Sequence, residues 1–275
     1  MGTLLKRTVG GVLFAAVVVG CLLVPWGLLA LVCFLAVALS FEFYRLTVDR
    51  RFCKEMVCVI LGAVVSLSLL FFHFQAGLPL RYAALGLLPL AVASVFLLFD
   101  SAADHAFPAA LYMPLGYILL PLAAALLLAW PGGSFTWRLL LGLFVLLWLN
   151  DIGAYAVGMS LGQRPDSRKL FPALSPKKSW IGVVGGTLFT LLGAWGVSAT
   201  FGAQVLPLVH WLALALIVSV FGVFGDLFES LIKRHAQVKD AGHFIPGHGG
   251  LLDRFDDVLF VLPLAALYLL LVEQL

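Results

Sequence analysis

Long apolar runs separated by short polar stretches dominate the chain. At about 20 residues per crossing, they predict helices near 8–24, 26–44, 56–74, 82–100, 109–130, 137–157, 180–200, 205–225 and 257–273. The runs are continuous rather than alternating, which excludes a transmembrane β-barrel. The first run, from Thr8 to Phe41, is too long for the apolar part of a signal peptide. Pro25 and Trp26 split it into two spans. The pattern predicts an all-α polytopic membrane protein of about nine transmembrane helices, with its termini on opposite sides. The sizeable polar loops are 158–179 and 226–256.

Composition agrees. Of 275 residues, 63% are apolar and 11% charged, with a mean hydropathy of +1.09. A soluble enzyme carries far more charge, and a disordered chain cannot hold so much apolar surface in water. The net charge of +3 is too small to point to nucleic acid. Its distribution says more. Lys6 and Arg7, the four basic residues of the 2–3 connection, the five of 158–179 and the four of 226–256 all fall on one side of a nine-span chain. Arg81 and Arg138 alone fall on the other. Basic loops stay inside, so the N-terminus and both polar loops are expected in the cytoplasm, and the chain in the cell's inner membrane. The four cysteines form no CxxC and read as small apolar residues. Residues 1–136, about five spans, carry almost no chemistry, whereas 137–275 reads as a catalytic transmembrane region.

Residues 226–257 hold six acids: Asp226, Glu229, Asp240, Asp253, Asp256 and Asp257. Its opening continues the eighth span as helix, with Asp226, Glu229, Ser230 and Lys233 on one face. Pro246, Gly247, His248, Gly249 and Gly250 form a turn whose bare backbone can approach a ligand. Asp151, beside Asn150, is an ionisable residue in the cytoplasmic half of the sixth span, a functional candidate by default. Asp151, Asp226 and Asp253 are expected to converge at one depth. Two readings stand at this point. One is a solvated loop of mixed charge; the other is carboxylates for Mg²⁺ with cations and backbone N–H groups for phosphate. The segment from Ser175 to Ser179, with Lys177 and Lys178, reads equally as a positive-inside anchor or as an anion clamp. Gly182 and Gly186 fit a small-xxx-small packing pattern. The chain carries no Walker A, GxGxxG, HExxH or GxSxG motif.

The stretch from Ser230 to Asp256, SLIKRHAQVKDAGHFIPGHGGLLDRFD, resembles the signature of the phosphatidate cytidylyltransferase (CDP-diacylglycerol synthase) family. Ser230, Lys233, Arg234, Lys239, Asp240, Gly242, Pro246, His248, Gly249, Gly250, Asp253, Arg254 and Asp256 fill its defining positions. Asp151 to Tyr155 is similar to the family's D-T-G-A-Y, and Ser175 to Trp180 to its S-P-K-K-T-W. Ile152, Ser179 and Ile181 depart from the usual residues, and the isoleucines put any polar role at those two positions in doubt.

The resemblance implies transfer of the cytidylyl group from CTP to phosphatidate, giving CDP-diacylglycerol and pyrophosphate for phospholipid synthesis. It implies Mg²⁺, replaceable by Mn²⁺ and with room for a second cation, and a homodimer in the bilayer. The catalytic set it implies is Asp226, Lys239, Asp240, Asp253 and Asp256, with Asp226, Asp253 and Asp151 toward the metal. Substrate binding would fall to Lys177, Lys178, Ser179, Ser230, Lys233, Arg234, His248, Gly249, Gly250 and Arg254. Two other functions fit less well. A CTP-dependent lipid-alcohol kinase would need a general base for the hydroxyl. A transporter would need ionisable residues along a path to both faces.

Overall fold

The computed structural model describes residues 2–48, 52–98, 107–164, 167–242, 244 and 249–275. Its helices are α1 (Gly2–Leu22), α2 (Pro25–Thr47), α3 (Cys53–Ala76), α4 (Leu87–Leu98) and α5 (Phe107–Pro114), then α6 (Leu120–Leu128), α7 (Arg138–Ser160), α8 (Trp180–Thr200), α9 (Leu208–His235) and α10 (Leu252–Leu271). Six helical stretches among the described residues are long and apolar enough to cross a membrane, and two shorter apolar ones, Gly10–Leu22 and Leu80–Phe96, accompany them. The protein is a multi-pass, mainly α-helical membrane protein.

Proline sets several boundaries. Pro25 begins α2, where a missing N–H costs nothing. The expected fifth span is one continuous stretch, but Pro114 interrupts it. The five residues Leu115–Leu119 take a π-turn between α5 and α6, as expected where the N–H to the preceding turn is missing. The expected fourth span begins as a 3₁₀ segment, Leu80–Gly86, before α4.

The 158–179 loop differs from the all-α expectation. Helix α7 runs on to Ser160, and Lys169–Phe171 (β1) pairs antiparallel with Ser175–Ser179 (β2) in a small hairpin. The Lys169 ammonium donates to the Gly162 carbonyl at 2.9 Å and to Gln163 Oε1 at 3.1 Å, tying the hairpin to the end of α7. The buried Ser179 hydroxyl accepts the Gly182 N–H at 3.3 Å and so starts α8 directly from the strand.

One hydrophobic core joins both halves of the chain, with Leu28, Leu39, Leu126, Leu143, Leu214 and Leu262 all buried within it. Large apolar side chains such as Val12, Leu192 and Trp195 face outward, as a lipid environment allows. Small residues seat α8 on α7. A Cβ on Gly185 would lie 2.5 Å from the Val157 Cβ, and one on Gly186 would lie 2.7 Å from Asn150 Oδ1. Helix α9 approaches α10 as closely, since a Cβ on Gly225 would collide with the backbone carbonyl of Asp256. With 28 residues at 1.5 Å each, α9 is about 42 Å long, longer than a bilayer core of about 30 Å. Its last turns therefore project beyond the apolar layer and carry Lys233, Arg234 and His235.

Candidate active site

The C-terminal halves of α7 and α9 meet the N-terminal turns of α8 and α10 at one end of the bundle. Between them lies a cavity of about 390 Å³. Asp151, Asp226, Asp253, Asp256 and Asp257 line it, together with Lys177, Lys178 and Arg254. Asn150 and Tyr155 from α7, Gln163, and Ser179 from β2 add uncharged polar groups to the wall. The three acids expected to converge do share this cavity. Five carboxylates against three cations leave it formally negative, and the N-terminal ends of α8 and α10, the positive ends of their helix dipoles, reach the same place.

The acids at this end of the bundle divide into two groups, one of which takes in Glu229, a residue that does not line the cavity. One oxygen each from Asp226, Glu229 and Asp256 lies within 4.8 Å of the other two. Glu229 is buried, and its Oε1 has no hydrogen-bond partner among the described residues. Its other oxygen is ion-paired with Lys233. Asp226 is ion-paired with Lys178 from the hairpin and accepts the Ser230 hydroxyl at 3.4 Å. Asp253 stands apart. Its Oδ1 is 2.7 Å from the Lys233 ammonium, and its Oδ2 accepts the N–H groups of Ala241 at 2.9 Å and Gly250 at 2.7 Å. These three bonds occupy most of the acceptor capacity of its carboxylate.

The remaining expected residues distribute unevenly. Lys177 and Arg254 face the cavity, and the Lys177 carbonyl accepts from Gln163 Nε2 at 3.0 Å. Gly249, at φ +87°, and the buried Gly250 sit beside Asp253. A positive φ of this kind suits glycine and few other residues. Lys239, Asp240 and Arg234 are exposed and do not line the cavity. His248, Pro246 and Gly247 lie outside the described residues. Ile152 and Ile181 do not line the cavity either, so those departures leave its polar set intact.

Three acids of this region carry no role in the sequence pattern: Glu229, which shares a helix face with Asp226, Asp257, which adjoins Asp256, and Glu42, a single carboxylate near the end of the apolar α2. It is buried and accepts the Leu252 N–H at 2.7 Å. The rule that selects Asp151, an ionisable group inside a span, selects Glu42 as well.

Comparison with known proteins leads the same way. The chain is 47% identical over 119 residues to the phosphatidate cytidylyltransferase of Bacillus subtilis (strain 168), covering 43% of this chain and 42% of the relative. It is 44% identical over 127 residues to that of Staphylococcus saprophyticus, covering 46% and 47%. It is 43% identical over 129 residues to that of Staphylococcus aureus (strain COL), again covering 46% and 47%. Each match spans less than half of the curated relative. The model of the cytidylyltransferase family extends much further, matching residues 5–272, and with that extent of agreement the chain belongs to this family.

Proposed function

We propose that this protein transfers the cytidylyl group of CTP to phosphatidate, releasing pyrophosphate and leaving CDP-diacylglycerol in the membrane. The observation that carries this reading is the cavity at the helix ends, where carboxylates and Lys/Arg line a space open to one end of the bundle. The names of the relatives above supply the substrate pair.

The chemistry asks little covalent work of the protein. The phosphate of phosphatidate is already ionised at neutral pH, so one of its oxygens can attack the α-phosphorus of CTP without a general base. The bond from that phosphorus to the β-phosphate oxygen breaks, and pyrophosphate leaves with the electron pair. What remains is positioning and charge neutralisation. Lys178 from β2 and Arg254 from α10 both face the cavity and can pair with phosphate oxygens. Lys177 enters from the same strand as Lys178.

Hard oxygen donors in a cluster suit Mg²⁺. Asp226, Glu229 and Asp256 supply them, and Glu229 Oε1 is buried with no hydrogen-bond partner among the described residues. These residues would hold the ion, with Asp151 facing the same cavity. When bound, a divalent cation neutralises charge on the triphosphate and orients it.

The nine-span topology with the N-terminus inside belongs to this proposal, and its support is the lopsided distribution of Lys and Arg. It would put the cavity at the cytoplasmic face of the inner membrane, where CTP arrives from water and phosphatidate from the adjacent leaflet. A homodimer also belongs to it, on the family resemblance. Purified protein given labelled CTP, phosphatidate and Mg²⁺ should form a lipid-extractable CDP-diacylglycerol and equimolar pyrophosphate. A phosphorylated lipid with free CDP instead would show a kinase, and no CTP consumption would remove the reading.

A further inference from the structure

Helix α10 carries Asp253, Arg254, Asp256 and Asp257 on its first two turns, yet its own sequence provides no cap. Its N-cap position is Leu251, which makes no side-chain capping hydrogen bond. A helix start normally needs an acceptor for its exposed N–H groups. Here the acceptor comes from a helix more than 200 positions away. Glu42, five residues before the end of α2, accepts the Leu252 N–H at 2.7 Å and is only 6% exposed.

The same carboxylate fills the space beside Gly242 and Gly250. A Cβ on Gly242 would lie 2.5 Å from Glu42 Oε1, and one on Gly250 would lie 2.7 Å from Oε2. Both positions are therefore closed to any side chain by the acid itself. Asp253 accepts the N–H groups of Ala241 and Gly250. Two carboxylates thus meet at Gly250, Glu42 from the apolar N-terminal half and Asp253 from within the site.

We infer that Glu42 is a positioning residue for the reaction: it caps α10 from α2 and fixes Gly242, Gly250 and the acids Asp256 and Asp257 relative to α9. A negative group at the start of a helix is stabilised there by the helix dipole, which fits a buried carboxylate at this point. Glu42 does not line the cavity and touches no reacting atom. It acts through α10, and its effect on catalysis rests on the function proposed above.

The test compares Glu42→Leu, Glu42→Gln and Glu42→Asp in the purified full-length protein. Hydrogen exchange needs no substrate and reads the cap directly. In Glu42→Leu, peptides covering 241–255 should exchange at least about ten-fold faster while those of α7 and α8 stay unchanged, a local opening rather than a global one. Turnover should fall roughly 100-fold in kcat, the scale of a misplaced reacting group, with KM for CTP little altered. Glu42→Gln retains an oxygen acceptor and should recover much of both. Should Glu42→Leu fail to insert, Glu42→Asp, which draws the carboxylate back from Leu252, provides the same comparison. Unchanged exchange at 241–255, or acceleration spread evenly over the whole protein, overturns the inference. Local acceleration in a protein that proves not to use CTP leaves the cap standing and removes only the proposed reaction.

Discussion

Lys178 and Asp226 form an ion pair across the cavity mouth, joining the β-hairpin to α9. Both partners are partly open, at 27% and 39% side-chain exposure, so the pair itself contributes little to stability. Its interest is exchange: a cation bound at Asp226 would leave the Lys178 ammonium free for a phosphate. Lys178→Ala should then lower kcat/KM by on the order of 10²-fold, the range for one electrostatic partner of a phosphoryl centre. Lys178→Arg should retain more activity than the alanine variant. If Lys178 is only a positive-inside anchor, the alanine variant keeps full activity, or inserts with altered topology in a cysteine-labelling assay.

The acid cluster predicts a metal dependence. Activity should vanish with EDTA and return with Mg²⁺ or Mn²⁺. Asp226→Asn and Asp256→Asn keep volume and remove charge, and each should reduce turnover by at least about 10²-fold while the protein still purifies as a folded species. Mn²⁺ binding, followed by its paramagnetic resonance without any substrate, should weaken in parallel. A variant that keeps more than about a tenth of the rate removes that residue from the proposed metal set.

Asp253 is expected to fail differently. Three hydrogen bonds converge on it, from Lys233, Ala241 and Gly250. Removing such an acceptor leaves buried donors unpaired, at about 1–3 kcal/mol. Asp253→Ala should lower the melting temperature of the detergent-solubilised protein and abolish activity, whereas Asp226→Asn should abolish activity with the melting temperature nearly unchanged. Equal melting temperatures for wild type and Asp253→Ala would show that Ala241 and Gly250 are held without it.

Much of this was legible because membrane helices and acid clusters leave coarse marks. Apolar runs located the helices, since a span must satisfy its backbone internally and so reads as one long stretch. Asp151 could be grouped with Asp226 and Asp253 because it is an ionisable residue inside a span, on the side where the other two flank a polar segment. The hairpin could not be read from its sequence. Three- and five-residue strands with Pro176 and two lysines show no alternation, and they form because Lys169 and Gln163 tie them to α7. The partition of the acids was equally hidden. Which carboxylate faces a cation and which holds backbone N–H groups depends on Lys233 reaching Glu229 and Asp253 together, and that contact is set by how α9 packs on α10. Glu42 is marked as an ionisable residue inside a span, but its role is hidden, because its partner Leu252 is an ordinary apolar residue whose backbone, not its side chain, makes the bond.

The orientation has its own test. A single cysteine near Gln274 should react with an impermeant label added outside intact cells, and one near Gln163 should not. Gln163 supports the Lys177 strand through its carbonyl, so its side fixes the side of the cavity. The reverse pattern would place the cavity away from cytoplasmic CTP and overturn the proposed topology.

The close approach of α9 to α10 gives the last prediction. Gly225 immediately precedes Asp226, and a Cβ there would overlap the Asp256 carbonyl oxygen and lie 2.9 Å from the Asp257 Cα. Neither obstacle is the movable end of a side chain, so the backbone of α9 or α10 must shift. Overpacking of this kind costs typically about 1–3 kcal/mol, which a bundle with one continuous core can absorb. The site cannot absorb the same displacement, because Asp226 and Asp256 belong to one cluster whose oxygens lie within 4.8 Å of each other. Gly225→Ala should therefore purify as a folded protein yet lose roughly 10²-fold in turnover, as a displacement near 1 Å does at a positioned centre. It should also weaken Mn²⁺ binding without removing a single ligand. Gly196→Ala, at a position in α8 where a Cβ meets nothing within 4 Å, serves as the control and should leave both unchanged. Full activity in Gly225→Ala would mean that the α9–α10 spacing does not set the geometry of the acids.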